Sequence, residues 1–531
     1  MPQSLALSPS ICRAKILQAV SERGGTPMQD ASPTGLFSNA KEWVVFYLFL
    51  VKVLDKDTQP GASAAPLSTH RPYIDMLPHD VIAPPHYTSG EVQLLEATPL
   101  HGDAIERRKR YFHSFVSAMR WLQGVAREGE TSMTSVLDRV SFTESDTDAR
   151  SSSSLSSWGQ DILRQPLFDT WIWAQTAYSS RAFPPRMISH TDDNDDGDCS
   201  GPVLLPGVDA FNHARGVPVS WVYPCAHTED PAKPARAAVS TSHQESYSVS
   251  LTMHYKIEKD HQVFNNYGAK SNEEFLAGYG FVLDPGVDDT LALVLGGASQ
   301  ESGNTSTQPS TASNNNNTLA LTRPWGTPHY WRIRHQQEQD PTPAPLGNLS
   351  ARVRKLQQQQ SQTQANSDGD GGPPPGLLVE LYERLLASEG GTGTDASDAP
   401  SINDSWLLRP SLATPTPTPT PSESKRNSPD TSTARHQESN NRRLAGLKLD
   451  GEVLETLEEM LCAKRKVFKA AQARIGSDAH SEDVRQSVWN NVQIYRRGQG
   501  VILDQAVAWT RAKMDELVDL IEELEDQMDT E

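Results

Sequence analysis

VFNNYGAKSNEEFLAGYGF, residues 263–281, holds two tyrosines, Tyr267 and Tyr279, each followed by a glycine. Between them lies the hydrophilic turn Lys270-Ser271-Asn272-Glu273. About fifty residues upstream, LLPGVDAFNHARG (204–216) ends an apolar run in the adjacent polar pair Asn212-His213. Either tyrosine alone reads as a strand or turn aromatic packed in a core. The ordered pair, with KSNEEFL between its members, points to a site.

The surrounding pattern is mostly helical. A helix is expected after Ser8-Pro9 and another over 39–54 with Asn39 as its N-cap. The apolar run Trp43–Leu54 is interrupted by Lys52 and falls short of the roughly 20 residues of a membrane span. Thr88 or Ser89 with Glu91 marks a helix start, and apolar residues at helical spacing predict one long helix over 103–125. LFDTWIWAQTAYSSRAF predicts a buried helix ending near Ser180-Arg181. Val203–Leu205 and Ser246–Tyr255 read as short strands, the second with Tyr247, Val249, Leu251 and Met253 on one face.

Residues 144–157 read as a surface loop, and the acidic 190–200 lacks the spacing and closing Glu of a calcium loop. The tracts 298–318, 336–376 and 388–440 are too poor in apolar residues to offset chain entropy, and they interrupt helical pieces such as 376–386. From about Asp450 the pattern is helical again. One stripe is Val453, Leu457, Met460, Leu461, Val467 and Phe468. A second is Leu503, Val507, Met514, Leu517, Ile521 and Leu524, with a frayed acidic end EELEDQMDTE.

With 48 Lys and Arg against 67 Asp and Glu, the net charge of -19 argues against direct nucleic-acid binding. It suits a basic protein partner such as a ribosomal protein or a histone. Cys12, Cys199, Cys225 and Cys462 form no CxxC pair or zinc spacing, so no metal is expected. They suggest a reducing compartment, cytoplasmic or nuclear. No signal-peptide pattern opens the chain and no membrane association is expected.

These motifs resemble the catalytic half of SET-domain lysine methyltransferases, most closely the Rubisco large-subunit methyltransferase type. The resemblance covers residues 1–290 and, more weakly, 441–531. It implies an α+β fold: a SET β-core split by a helical insert and followed by an α-helical C-terminal domain with disordered insertions. The implied division is 1–40 for the remnant of the first SET segment, 41–165 for the insert and 166–290 for the catalytic core. The low-complexity insertions would occupy 291–440 and the helical domain 441–531.

The implied reaction is methyl transfer from S-adenosylmethionine to a protein lysine. NNYGAKSN places Tyr267 as the catalytic tyrosine, also touching cofactor, and GYGF places Tyr279 on the lysine channel. Asn212 and His213 would bind cofactor, Asp209 substrate, and Arg181 in SSRAF both. YRRGQ (495–499) resembles the start of the last helix pair in the family's C-terminal domain, which helps hold protein substrates there; a helical cap on the SET core is an equal reading.

Two departures stand out. The family begins with a Gly-rich GxGxxA segment, whereas this chain opens at MPQSLALSP, so the resemblance implies an N-terminally incomplete member with a weakened cofactor pocket. Asp260-His261 stands where the family carries a Gly-Glu pair. Two other readings stay open: a SET-like binding module without turnover, and methylation of a histidine side chain.

Overall fold

The computed structural model describes residues 5–22, 37, 39–53, 67, 69–127, 166–188, 201–222, 249–286, 288–295, 329–332, 372–389, 405–408, 430–477 and 483–530. The expected loops at 144–157 and 190–200 lie outside them, as does the tract 298–318.

Helices start where caps permit. α1 (Pro9–Glu22) opens on a proline, with Ser8 Oγ accepting the Ile11 N–H at 3.2 Å. α2 (Glu42–Val53) begins later than the expected Asn39, because the Asn39 side chain accepts the Lys41 N–H at 3.0 Å and closes a turn first. Val44 through Leu50 of α2 are fully buried on every side of the helix. α3 (Arg71–Met76) is followed by α4 (Ser89–Gln93), where Thr88 and Glu91 form the anticipated capping box. α5 (Pro99–Arg127) and α6 (Pro166–Ser179) complete this layer. α1, α2, α5 and α6 share one core in which Phe46, Phe49, Phe115, Phe168 and Trp171 meet. Phe49 and Trp171 approach edge to face at 5.4 Å.

The strands are two to four residues long and pair in twos among the described residues. β1 (Ala182–Phe183) is antiparallel to β2 (Val203–Leu204), and Leu7, just before α1, bridges to Leu204. β3 (Asn212–His213) is parallel to β6 (Phe264–Asn265). β4 (Val219–Val222) is antiparallel to β5 (Ser250–Met253), and β7 (Thr290–Leu293) to β8 (His329–Arg332). The fold is thus mixed and helix-rich with few strands.

α8 (Pro375–Glu389), α9 (Asp430–Ser477) and α10 (Gln486–Thr530) follow the site helix α7 (Asn272–Tyr279). The structure departs from expectation here in three places. Val467 is 59 % exposed, so it leaves the stripe that Val453, Leu457, Leu461 and Phe468 bury. The acidic end stays helical through Thr530, with Leu524 buried. The tract 388–440 is not uniformly without structure: α9 starts at Asp430, and Ser405 is buried against the Tyr382 hydroxyl while the Trp406 N–H donates to Asp450 at 2.8 Å.

α9 and α10 pack on β7, β8 and α8 through Leu291, Trp331, Leu377 and Leu381. They also pack on the segment around α4. There Glu91 is fully buried and accepts from Arg485 Nε and NH2 at 2.8 and 2.5 Å. Burial raises its pKa, but the Arg485 and Thr88 hydrogen bonds outweigh this and hold it below the ordinary glutamate range. A carboxylate with a depressed pKa contributes stability above its unfolded pKa and loses it as pH falls through the folded one. Glu91→Gln is therefore expected to cost about 2 kcal/mol at pH 7. The deficit should shrink below about pH 4, as urea denaturation at both pH values will show.

Candidate functional site

The site is assembled by the β3–β6 pairing, which sets His213 opposite Asn265. Two asparagines then shape the turn to Tyr267. Asn265 Oδ1 accepts the Asn266 N–H at 2.8 Å and Asn266 Oδ1 the Gly268 N–H at 2.9 Å. Gly268 sits at φ +96°, and Asp260 at φ +66° occupies the turn where the resembled pattern has glycine. The Tyr267 N–H donates to His213 Nδ1 at 3.0 Å. That bond leaves the proton of the neutral imidazole on Nε2, which is buried and makes no hydrogen bond to protein. Burial pushes the His213 pKa below its ordinary value, so the ring is neutral at pH 7.

The Tyr267 hydroxyl donates to the Phe211 carbonyl at 2.8 Å. Its ring stacks on His213 at 5.1 Å and on Tyr279 at 5.2 Å. Lys270–Glu273, read as a turn, is in fact the N-terminus of α7: Ser271 and Glu274 form a capping box. Tyr279 accordingly ends a helix rather than a strand. Gly280 closes that helix at φ +77°, and a Cβ there would stand 2.4 Å from the Ile82 carbonyl oxygen, so only glycine fits. Burial raises the Tyr267 pKa and lifts that of Tyr279 to about 12, keeping both phenols protonated.

Arg181, just past α6, donates from NH1 to the Asp209 carbonyl at 2.9 Å and faces its carboxylate at 3.4 Å. Asp209 lies in a single-turn 3-10 helix opened by Gly207, whose N–H donates to Asp209 Oδ1 at 3.1 Å. Arg181, Asp209, Tyr267 and Tyr279 line one cavity of about 220 Å³. His213 backs it through the Tyr267 ring, and the neighbouring Asn212 is exposed. The cavity wall thus combines aromatic faces and one buried carboxylate, which suit a cation, with the side chains of Arg181 and Lys270.

Further lining residues that sequence reading missed include Phe183, Trp221, Asn265 and Lys270. Trp221 lies on β4, which had no expected strand, and its indole N–H donates to Asn265 Oδ1 at 3.0 Å. Sequence reading also missed Tyr73, which stands outside the cavity lining and donates to Asp209 Oδ2 at 2.8 Å. YRRGQ proves to be a docking element. Tyr495 donates to Glu273 Oε2 at 2.9 Å and Gln499 to the Thr290 carbonyl at 2.7 Å, and Arg496 is buried. Among the described residues no group of three or more His, Cys, Asp or Glu is placed to hold a metal, and no helix is long and apolar enough to cross a membrane.

No family model matches the chain. A 126-residue stretch is 35 % identical to ribosomal lysine N-methyltransferase set10 of Schizosaccharomyces pombe, covering 24 % of this chain and 19 % of that protein. Another, of 263 residues, is 26 % identical to ribosomal lysine N-methyltransferase 1 of Saccharomyces cerevisiae, covering 48 % and 39 %. Over 114 residues the chain is 31 % identical to the protein-lysine N-methyltransferase EFM1 of the same yeast, covering 22 % and 16 %. The chain matches 39 % or less of the length of these relatives. The crystal structure of the SET domain of LSMT bound to lysine and AdoHcy aligns with TM-score 0.48 at 15 % identity, over 97 % of this chain and 82 % of that one. Over those stretches the chain is similar in sequence to lysine N-methyltransferases.

Proposed function

We propose that the chain is an S-adenosylmethionine-dependent protein-lysine N-methyltransferase, with residues 166–290 as its catalytic core and the helices of 441–531 docked on it. The single observation that carries this reading is the convergence of Arg181, Asp209, Tyr267 and Tyr279 on one cavity, with His213 stacked behind Tyr267. The residues fit the methyl donor. His213 Nε2 is a buried polar atom without a protein partner, and the aromatic walls with Asp209 suit a positive charge. Asn212, His213, Arg181 and Tyr267 would hold it, and Tyr279, Asp209 and Arg181 would face the substrate. When bound, it supplies a methyl group already activated on a sulfonium.

The chain's own residues then have two tasks. A free lysine has a pKa near 10.4, so only about one in a few thousand is neutral at pH 7. A dry cavity disfavours the ammonium and frees the amine lone pair. The Tyr267 proton is committed to the Phe211 carbonyl, so the phenolic oxygen accepts an amine N–H and thereby aims that lone pair. Tyr279 and Trp221 offer π-faces to the methylated, cationic product.

The substrate proposed is a basic protein, with ribosomal proteins the first class to test because two matched relatives carry that name. The negative chain favours such a partner. The test is transfer of labelled methyl from S-adenosylmethionine to a ribosomal-protein mixture, with a histone mixture beside it and the modified residue located by mass spectrometry. Label on lysine supports the reading. Label on histidine alone would replace it, and no label on either mixture would favour a binding module.

A further inference from the structure

We propose that Tyr73, on α3, is a positioning residue that holds the Asp209 side chain ionised and oriented as a wall of the site cavity. The proposal deepens the methyltransferase reading and rests on it for the cavity's use; the contact itself does not.

The Tyr73 hydroxyl reaches across 136 residues of chain to donate to Asp209 Oδ2 at 2.8 Å. Asp209 is 7 % exposed, so its charge depends on protein donors. Besides Tyr73 these are the Gly207 N–H on Oδ1 at 3.1 Å and Arg181 NH1 on Oδ2 at 3.4 Å. Arg181 is the weaker of the two side-chain donors, because the same nitrogen lies closer, at 2.9 Å, to the Asp209 backbone carbonyl. The other titratable groups that share the cavity with Asp209 are Tyr267, Lys270 and Tyr279.

Burial raises the Asp209 pKa, and Tyr73 is foremost among the groups that oppose it. Burial and the adjacent carboxylate push the Tyr73 pKa well up, so the phenol keeps its proton and remains a donor. Its ring packs on the core of α1, α2, α5 and α6, which a phenylalanine would preserve. The hydroxyl is thus the part of Tyr73 that serves the site. It couples a helix of the expected insert to the charge of the cavity wall.

The test compares wild type, Tyr73→Phe, Asp209→Asn and the double variant by urea denaturation between pH 4 and 8. A carboxyl whose folded pKa is raised binds more protons folded than unfolded, so stability falls as pH rises from the unfolded value, about 3.9, through the folded one. Tyr73→Phe extends that window upward. Its deficit should grow across it by about tenfold in the folding constant, the scale of one charge-assisted hydrogen bond. In the Asp209→Asn background the deficit should not vary with pH.

In methyl transfer to the ribosomal-protein mixture, the acidic limb of the kcat/KM profile should move up by about one unit. A deficit independent of pH in both backgrounds would overturn the proposal, as would a pH-dependent deficit beside an unshifted rate profile. Coupling between the two variants with no methyl transfer by wild type would instead sink the methyltransferase reading and leave the Tyr73–Asp209 contact standing.

Discussion

Tyr267→Phe is expected to lower methyl transfer by about 10²- to 10⁴-fold, the range seen when one positioned donor or acceptor is removed from a reacting centre. The ring that stacks on His213 and Tyr279 is kept, so the cavity retains its shape. What disappears is the phenolic oxygen proposed to aim the amine. The Phe211 carbonyl also loses its donor, for a stability loss of about 1 kcal/mol. Calorimetric affinity for S-adenosylhomocysteine should change little, which separates a lost catalytic group from a collapsed pocket. Turnover within a few-fold of wild type would remove Tyr267 from the catalytic role and move attention to Tyr279.

Arg496→Met should produce the largest loss of stability, about 3 kcal/mol or more. Arg496 is 1 % exposed. Its guanidinium donates to the Leu94 and Glu96 carbonyls at 3.2 and 2.6 Å and to Gln472 Oε1 at 2.6 Å. It also lies 4.6 Å over the Phe468 ring. Methionine fills much of the volume but leaves those oxygens buried without donors. Because the contacts join α10 to α9 and to the segment after α4, loosening them should expose that junction to protease. Unfolding by denaturant and limited proteolysis of both proteins will measure this. A variant as stable as wild type would mean that water reaches these carbonyls. Arg497, its neighbour in the same motif, is the contrast: it is exposed and only loosely paired with Asp284 at 3.4 Å, and its removal should change little.

Local chemistry made much of this molecule legible from its residues. The Thr88–Glu91 box, the proline opening α1 and the apolar periodicity of α5 and α10 act over a few residues, so the helices could be placed before any fold was known. The same holds for Tyr267 and Tyr279, whose glycine neighbours and spacing carry the resemblance, and for Asn212-His213 and Arg181 as its companions. Where the local reading erred, a competing contact explains it. The polar run Lys270–Glu273 scans as a turn, yet Ser271 with Glu274 makes it a helix start. Val467 fits a helical stripe, but the partner helix covers only one side of α9 and leaves it in water.

What the chain could not announce is which distant groups meet. Asn212 pairs with Phe264 in parallel, Tyr73 crosses to Asp209, and Arg485 and Arg496 reach back about four hundred residues to the segment around α4. Such contacts have no period and no fixed spacing. They depend on which buried donors and acceptors the packed helices bring within hydrogen-bond reach, where each one left unpaired costs stability. YRRGQ shows the difference most plainly: it reads equally as a substrate-holding element or as a helical cap, and the docking of α10 buries Arg496 while Arg497 stays exposed. The sequence by itself determined most of the long helices, the order of the site motifs and the chemistry those motifs resemble. The tertiary structure alone decided that His213 accepts from Tyr267, that Trp221 lines the cavity while Tyr73 reaches its Asp209 wall, and that the last helix is part of the core's support, because each of these rests on buried polar groups that only packing brings within reach of one another.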